Sequence, residues 1–142
     1  MAIFSLAQRT SGASSGTAAL EIIAGSNNAF SLKEIGLTLN AGTATTLGMG
    51  APAANGTTPT SVVVLSEDQG NTTTGATSGA LTWATGPTLP TAFVRRVSLP
   101  ATVGAGIVWT FPRGFNVLKS TTEIIWNFVT GSVLDVWYVL DE

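Results

Sequence analysis

The stretch from Ile107 to Glu142 reads Ile-Val-Trp-Thr-Phe-Pro-Arg-Gly-Phe-Asn-Val-Leu-Lys-Ser-Thr-Thr-Glu-Ile-Ile-Trp-Asn-Phe-Val-Thr-Gly-Ser-Val-Leu-Asp-Val-Trp-Tyr-Val-Leu-Asp-Glu. Short runs of β-branched and aromatic residues alternate here with Pro-Arg-Gly, Lys-Ser-Thr-Thr and Gly-Ser. This pattern is typical of consecutive antiparallel strands joined by tight turns. It predicts strands at 107–111, 115–118, 123–130 and 133–140.

The final run of this stretch has two distinct faces, because successive side chains of a strand point in opposite directions. One face carries Leu134, Val136, Tyr138 and Leu140, which suits a core. The other carries Val133, Asp135, Trp137 and Val139. That second face is too apolar for open solvent, so the strand is expected to be central in the fold or covered by another subunit.

Upstream, the same period-2 pattern predicts strands at 18–24, 30–39, 43–50, 80–84 and 93–99, a short buried run at 62–65, and loops at 51–61 and 66–79. Eight to ten short strands with no helical segment favour an all-β fold. We expect a single-domain antiparallel β-sandwich, best fitted by a jelly roll of two Greek keys. The number of strands and the lack of a cysteine pair disfavour an immunoglobulin-like sandwich. Trp83, Trp109 and Trp126 are expected in the core.

Residues 1–17 are predicted to form an N-terminal arm or an edge strand, and residues 18–142 the sandwich. Ile3 and Phe4 open this segment, and a flexible Ser/Gly-rich stretch follows Arg9. Two alternatives are open for it. The apolar residues either dock on a neighbouring surface or form the first edge strand of the same domain.

Composition excludes several classes of function. Only 10% of the 142 residues are charged and the formal net charge is −2, so attraction to nucleic acid or to an anionic membrane is disfavoured. There is no Cys and no His, which removes thiol chemistry, the commonest general base and the commonest transition-metal ligand. The N-terminus lacks a secretory signal, and no apolar run reaches the ~20 residues of a membrane helix.

No constellation of residues predicts catalysis, a cofactor or a metal. Glu67 and Asp68, with Gln69 and Asn71 nearby, form an acidic cluster, but its spacing matches no calcium loop and it is interpreted as a solvated loop tip. The serines and threonines lack an activating base. A small hydrolase with paired carboxylates would need a cleft that the few scattered acids do not indicate.

Contact residues are therefore the nearest equivalent of a site. Asp135 is expected to form an ion pair with Arg95, Arg96 or Arg113. Arg95 and Arg96 should point to opposite faces of one strand, and Arg113 should lie at the apex of a Pro-Arg-Gly turn, where a guanidinium suits a partner's carboxylate. The complete set of candidate interface residues is Ile3, Phe4, Arg9, Arg95, Arg96, Arg113, Val133, Asp135, Trp137 and Val139.

Several phrases of the sequence resemble a known family. They are Phe-Ser-Leu-Ala-Gln-Arg-Thr-Ser-Gly at 4–12, Glu-Ile-Gly-Leu-Thr-Leu at 34–39, Val-Arg-Arg-Val-Ser-Leu-Pro at 94–100, Val-Trp-Thr-Phe-Pro-Arg-Gly at 108–114 and Val-Leu-Asp-Val-Trp at 133–137. Together they resemble the decoration, or cement, proteins of tailed-bacteriophage capsids. The resemblance implies a small β-sandwich, commonly trimeric, that clamps junctions between major capsid subunits, and it implies no catalytic residues.

Two functions follow as expectations. The first is a homotrimeric structural protein of the virion, made in the host cytoplasm, that bridges major capsid subunits and needs no cofactor, nucleic acid, membrane or small-molecule substrate. The alternative is a carbohydrate-binding sandwich or phage adhesin that uses exposed Trp and Tyr side chains as sugar platforms. Exposure of Trp83 or Trp137 on a flat face would favour this alternative.

Overall fold

The computed structural model describes residues 2–11, 17–68, 70, 75 and 77–142. These residues form eleven β-strands and no helix. The strands are β1 (Ile3–Arg9), β2 (Thr17–Ile23), β3 (Phe30–Leu39), β4 (Thr45–Gly50), β5 (Thr57–Val62), β6 (Leu65–Ser66), β7 (Ser78–Thr85), β8 (Arg95–Leu99), β9 (Gly106–Val117), β10 (Thr122–Asn127) and β11 (Leu134–Asp141). With no helix present in the described ranges, none is long and apolar enough to cross a membrane.

The strands form two antiparallel sheets packed face to face. Sheet 1 has the order β6-β1-β11-β3-β9, and sheet 2 has the order β5-β7-β2-β10-β4-β8. Both β11 and β10 lie inside their sheets, between two neighbours each. The prediction of an all-β sandwich is confirmed.

The strand order is that of a jelly roll. Leaving out β5 to β7, the first four strands pair with the last four from the inside out: β4 with β8, β3 with β9, β2 with β10 and β1 with β11. This is one long hairpin rolled into two sheets, which defines the double Greek key. The strands β5 to β7 are an insertion at the tip of that hairpin, and they extend both sheets at the edge farthest from β8 and β9.

The main core lies between the sheets, and β11 contributes its predicted face to it. Leu134, Val136, Tyr138 and Leu140 are all buried, as the alternation in the sequence indicated. The Tyr138 hydroxyl donates a hydrogen bond to the carbonyl oxygen of Leu20 in sheet 2, 3.1 Å away. This bond satisfies the one polar group that the core face of β11 brings inside.

A second, smaller apolar cluster covers the outer face of sheet 2. Ile124 and Trp126 of β10 pack there with Ala18, and Phe93 lies against them from the connection between β7 and β8. The indole N–H of Trp126 donates to the carbonyl oxygen of Gly50 at 2.8 Å. Trp126 is thus buried as expected, but outside the space between the sheets, whereas Trp109 lies in the main core.

Four local predictions are wrong. Trp83, expected in the core, is only half-buried and packs against the smaller apolar cluster. Residues 107–117 belong to one strand, β9, rather than to two strands and a turn. Half of the predicted loop at 51–61 belongs to β5, which pairs with β7. The run at 62–65 is not buried throughout, because Val63 and Leu65 are 70% and 66% exposed while Val64 points inward.

Candidate contact surfaces

The outer face of sheet 1 is organised around Trp137. Register places it between Ala7 of β1 and Gly36 of β3. The indole lies flat on Gly36, since a Cβ built there would come within 1.8 Å of two indole carbons. The indole N–H donates to the Glu34 carboxylate at 3.0 Å. Trp137 is half-buried by these contacts within one chain, which is how the sheet accommodates an apolar residue on its outer face.

Next to Trp137, Asp135 forms an ion pair with Arg9. The guanidinium approaches both carboxylate oxygens, with Nε at 2.7 Å and Nη2 at 3.0 Å, and Asn40 adds a bond of 3.2 Å. The hydrogen bond from Arg9 is the main cause that holds the pKa of Asp135 below its ordinary value. Within one chain, the predicted pairing of Asp135 with Arg95, Arg96 or Arg113 is therefore wrong. Those arginines belong to β8 and β9, whereas β11 lies beside β1.

A shallow concavity of about 320 Å³ separates these two features. It is lined by Ala7, Gln8, Arg9, Asp135, Val136 and Trp137. One wall is an indole face, and the other is a charged pair with an amide beside it. This combination of a flat aromatic and hydrogen-bonding groups can hold a polar ligand that also has an apolar face.

The opposite side of the sandwich carries an arginine edge, which we define as Arg95 and Arg96 of β8 with Arg113 of β9. The Arg95 guanidinium lies 5.5 Å from the ring centre of Phe111, in the gap between the sheets. The Arg96 guanidinium lies 5.2 Å from the ring centre of Phe93, on the outer face of sheet 2. The two therefore point to opposite faces, as the strand period requires.

Arg113 projects from a bulge of β9. Register pairs Thr110 with Glu34 and Phe115 with Leu32, so the four residues 111–114 lie opposite Lys33 alone. Gly114 has φ +73°, a backbone conformation that favours glycine. A concavity of about 340 Å³ lies between Arg113 and Arg95, floored by Phe111 and Pro112. The Pro-Arg-Gly sequence therefore makes a bulge that presents Arg113 beside Arg95, and not the predicted turn between strands.

The far edge, at β6, is acidic and apolar. Glu67 and Asp68 follow β6 directly, and both are exposed. The Ser5 hydroxyl donates to Glu67, and the Asp68 carboxylate accepts a bond from the backbone N–H of Gly70. Val63 and Leu65 stand exposed beside them. We call these four residues the acidic edge. The predicted loop at 66–79 lies partly outside the described residues.

The remaining predicted contact residues separate into surface and core. Ile3 is 50% exposed on β1, next to the acidic edge. Val133 and Val139 are partly buried, Val139 on the outer face of sheet 1. Phe4 is 2% exposed and packs in the main core, so it is not available to a partner. Two alternatives were open for the N-terminal segment. In the structure its residues Ile3–Arg9 form a strand of the same domain, because β1 pairs with β11 along its full length.

Two buried carboxylates were not singled out from the sequence as features of the fold. Glu21 accepts bonds from the Trp83 indole N–H at 2.9 Å and from the Thr122 hydroxyl at 2.6 Å. Glu123 is 4% exposed, and burial raises its pKa to about 7. Its Oε1 has no hydrogen-bond partner in the described structure. The described ranges contain no group of three His, Cys, Asp or Glu residues that could hold a metal ion.

Sequence reasoning also missed the apolar cluster on sheet 2 and the stack of Trp137 on Gly36. The signal for the first was present, because Ile124, Ile125 and Trp126 make β10 apolar on both faces, as in β11. The second required the register between β3 and β11, which residue types do not encode.

The comparisons with family models, curated proteins and solved structures give no match to this chain, so its function has to be inferred from these surfaces.

Proposed function

We propose that this chain is a decoration protein of a virion. It would bind the outer surface of a tailed-bacteriophage capsid as a homotrimer and bridge major capsid subunits. The observation that carries the proposal is the exposure of large apolar side chains on a surface with few charges. They are Ile3, Val63, Leu65, Leu89, Val94, Val103, Val108 and Leu118.

Such a surface favours a protein that works by contact with other subunits. Charged residues make up 10% of the chain, against about 25% in an average soluble domain, so few charges oppose association. Leu65 lies on one edge strand of sheet 1 and Val108 on the other, where unpaired strand edges also favour contact with another chain. Jelly rolls occur in viral capsid proteins, which supports the proposal by analogy of fold alone.

The mechanism is stabilisation by binding. A protein that binds the assembled shell and not its dissociated subunits shifts the equilibrium toward the shell. Each large side chain that is buried at the contact contributes about 1.5–3 kcal/mol. No catalytic group or cofactor is needed for this activity.

The direct test mixes the purified protein with capsid shells that lack decoration and measures co-sedimentation and the melting temperature of the shell. We expect saturable binding and a higher melting temperature. The double substitution Val103→Ser with Leu118→Ser should weaken binding without unfolding the chain, because both side chains are exposed. The proposal would be contradicted if the wild-type protein did not sediment with the shells and their melting temperature did not change.

The second candidate is carbohydrate binding, and the half-exposed indole of Trp137 favours it. The indole lies beside Arg9, Asp135 and the amide of Asn40, a set that can stack on a sugar ring and bond its hydroxyls. Trp83 is also half-buried and lines a second concavity of about 250 Å³. A glycan array probed with wild type and with Trp137→Ala would show a signal that depends on Trp137. An array without wild-type signal excludes this function.

A further inference from the structure

Charge is divided between the two ends of the sandwich. Of the six cationic side chains, Arg9 and Lys33 form ion pairs, with Asp135 and Asp141. The other four have no carboxylate within 4 Å among the residues that the structure describes. They are Arg95, Arg96, Arg113 and Lys119. All four belong to β8, to β9 or to the turn after β9.

The acidic edge lies at the other end. Strand order places β6 and β9 at opposite edges of sheet 1, four strand spacings apart, or about 19 Å. Glu67 and Asp68 are exposed there and have no cationic partner among the described residues. Among the described residues, one edge therefore carries positive charge and the other negative charge without ion-pair partners, and the two edges are too far apart to neutralise each other.

We infer that the arginine edge of one chain binds the acidic edge of a second copy, head to tail. This inference rests on the proposed function and names the contact that builds its oligomer. Arg95 and Arg113 flank a preformed concavity, and stacking on Phe111 holds the Arg95 guanidinium in place. A guanidinium so held suits the carboxylates of Glu67 and Asp68 on the neighbour.

The apolar residues at the two edges complete the contact. Val63 and Leu65 stand beside the acids, Val94 directly precedes Arg95, and Val108 lies on the same strand as Arg113, all four exposed. Opposite charges set the orientation and exclude like-edge contacts, while the apolar side chains supply the buried area. Because the two edges differ, the contact is heterologous, and copies joined by it form a closed ring when the rotation between them closes.

The test reverses the charge of each edge and measures the mass in solution by light scattering. Arg95→Glu with Arg113→Glu should lower the mass to that of one chain, 14.5 kDa, and so should Glu67→Arg with Asp68→Arg. The chain with all four substitutions should regain the wild-type mass, because its reversed edges attract each other again. Circular dichroism and thermal melting confirm that each variant is folded.

A mixture of the two half-reversed variants gives a sharper result. Each can bind only the other, so any closed ring that they form must contain an even number of chains and cannot be a ring of three. An unchanged mass in either half-reversed variant overturns the inference, as does a four-fold variant that stays monomeric. A monomeric wild type that nevertheless binds and stabilises shells would overturn this contact and leave the decoration function standing.

Discussion

Gly36 and Trp137 act as one structural unit, although they are 101 residues apart in a chain of 142. The absence of a side chain at Gly36 creates the space in which the indole lies. Glu34, two residues earlier on β3, fixes the orientation of the indole through its N–H. The half-buried Trp137 therefore depends on contacts within a single chain, and burial in an oligomer is not required to explain its place on the outer face.

Gly36→Ala should displace the indole, because the new methyl group overlaps it. We expect a loss of about 1–3 kcal/mol in the free energy of unfolding, the usual range for overpacking. Denaturant unfolding measures this loss, and acrylamide quenching should show one more accessible tryptophan. Gly42→Ala is the matched control, since nothing lies within 4 Å of its added Cβ. Equal stability of the two variants would contradict the stack.

Glu123 gives the fold a defined dependence on pH. Its pKa is about 7 in the folded chain, against 4.5 for an ordinary glutamate, because burial disfavours the charged carboxylate. Between these two values the folded chain binds more protons than the unfolded chain. The free energy of unfolding therefore falls as pH rises from 4.5 to 7. The penalty is absent below this window and complete above it.

Glu123→Gln should abolish this contribution. At pH 4 the variant and wild type should be similarly stable, and at pH 8 the variant should be more stable by up to about 3 kcal/mol. Urea unfolding at a series of pH values measures the difference between the two proteins. Asn116→Ala, at an exposed position of β9, should follow wild type throughout. A difference that does not change with pH would show that Glu123 is not the titrating group.

At the scale of elements, the bulge of β9 decides where Arg113 lies. The strand continues through Pro112 because the bulged residues leave the ladder, and proline is tolerated where no ladder hydrogen bond is needed. Gly114 then returns the chain to β3 in a left-handed conformation. The bulge thus re-aims one side chain without ending the strand.

Gly114→Ala should be more damaging than Gly104→Ala. Both glycines have positive φ, +73° and +87°, but a Cβ at 114 would come within 1.8 Å of the Ser31 hydroxyl, whereas the space at 104 is open. Both variants lose about 1–2 kcal/mol from the backbone conformation, and Gly114→Ala adds the steric overlap. Thermal melting of the two variants separates these effects. Equal melting temperatures would mean that the bulge relaxes freely.

The connection between β10 and β11 is held by a buried polar network. The Thr45 hydroxyl donates to the Asn127 side-chain oxygen at 2.7 Å, and the Asn127 amide nitrogen donates to the carbonyl oxygen of Ser132 at 3.2 Å. The Val129 N–H donates to the same Asn127 oxygen at 3.1 Å. One asparagine therefore ties β4 to both ends of the turn.

Asn127→Ala should leave several buried polar groups without partners. We expect a loss of about 1–3 kcal/mol in the free energy of unfolding for this reason. Asn116→Ala, at an exposed position of β9, should change it little. Chemical denaturation of both variants checks the prediction. Comparable stability of the two would mean that water replaces the network.

At the scale of the whole molecule, ionic strength should control assembly. The proposed contact between the arginine edge and the acidic edge involves exposed charges, whose attraction is screened at about 10 Å in 0.1 M salt and about 3 Å in 1 M salt. The association rate of wild type should fall as salt rises, measured by light scattering after dilution. The four-fold reversed chain should show the same trend. A rate that does not respond to salt would indicate a contact made by apolar residues alone.

The sequence predicted the layers of this molecule better than its connections. Alternation identified the core face of β11 because Leu134, Val136, Tyr138 and Leu140 repeat at the period of a strand. The partner of Asp135 depended on which strand lies beside β11, and that pairing joins residues 126 positions apart in sequence. The insertion β5 to β7 was partly missed because Thr57 to Ser61 is polar and exposed, which resembles a loop.

For the candidate surfaces, too, the sequence indicated individual residues but not how they lie relative to one another. The sequence singled out Arg95 and Arg96 by their adjacent places on one strand and Arg113 by its Pro-Arg-Gly context, and their role in a contact stays a prediction. Their relation to Glu67 and Asp68 needed the strand order, since opposite edges of a sheet are defined only once all strands are in place. Residue types indicated what could make a contact, and topology determined which contacts one chain can make at the same time.

Because the first strand pairs with the last, the fold cannot be completed until the ribosome has made nearly the whole chain. β1 pairs along its full length only with β11, and a ribosome that adds about 5–20 residues per second needs roughly 6–25 s to produce the chain between Arg9 and Asp135. During this interval Phe4 and Leu6 have no sheet to join. The nascent chain is therefore most exposed to aggregation and to chaperones while it is being made, and its folding completes only when β11 becomes available.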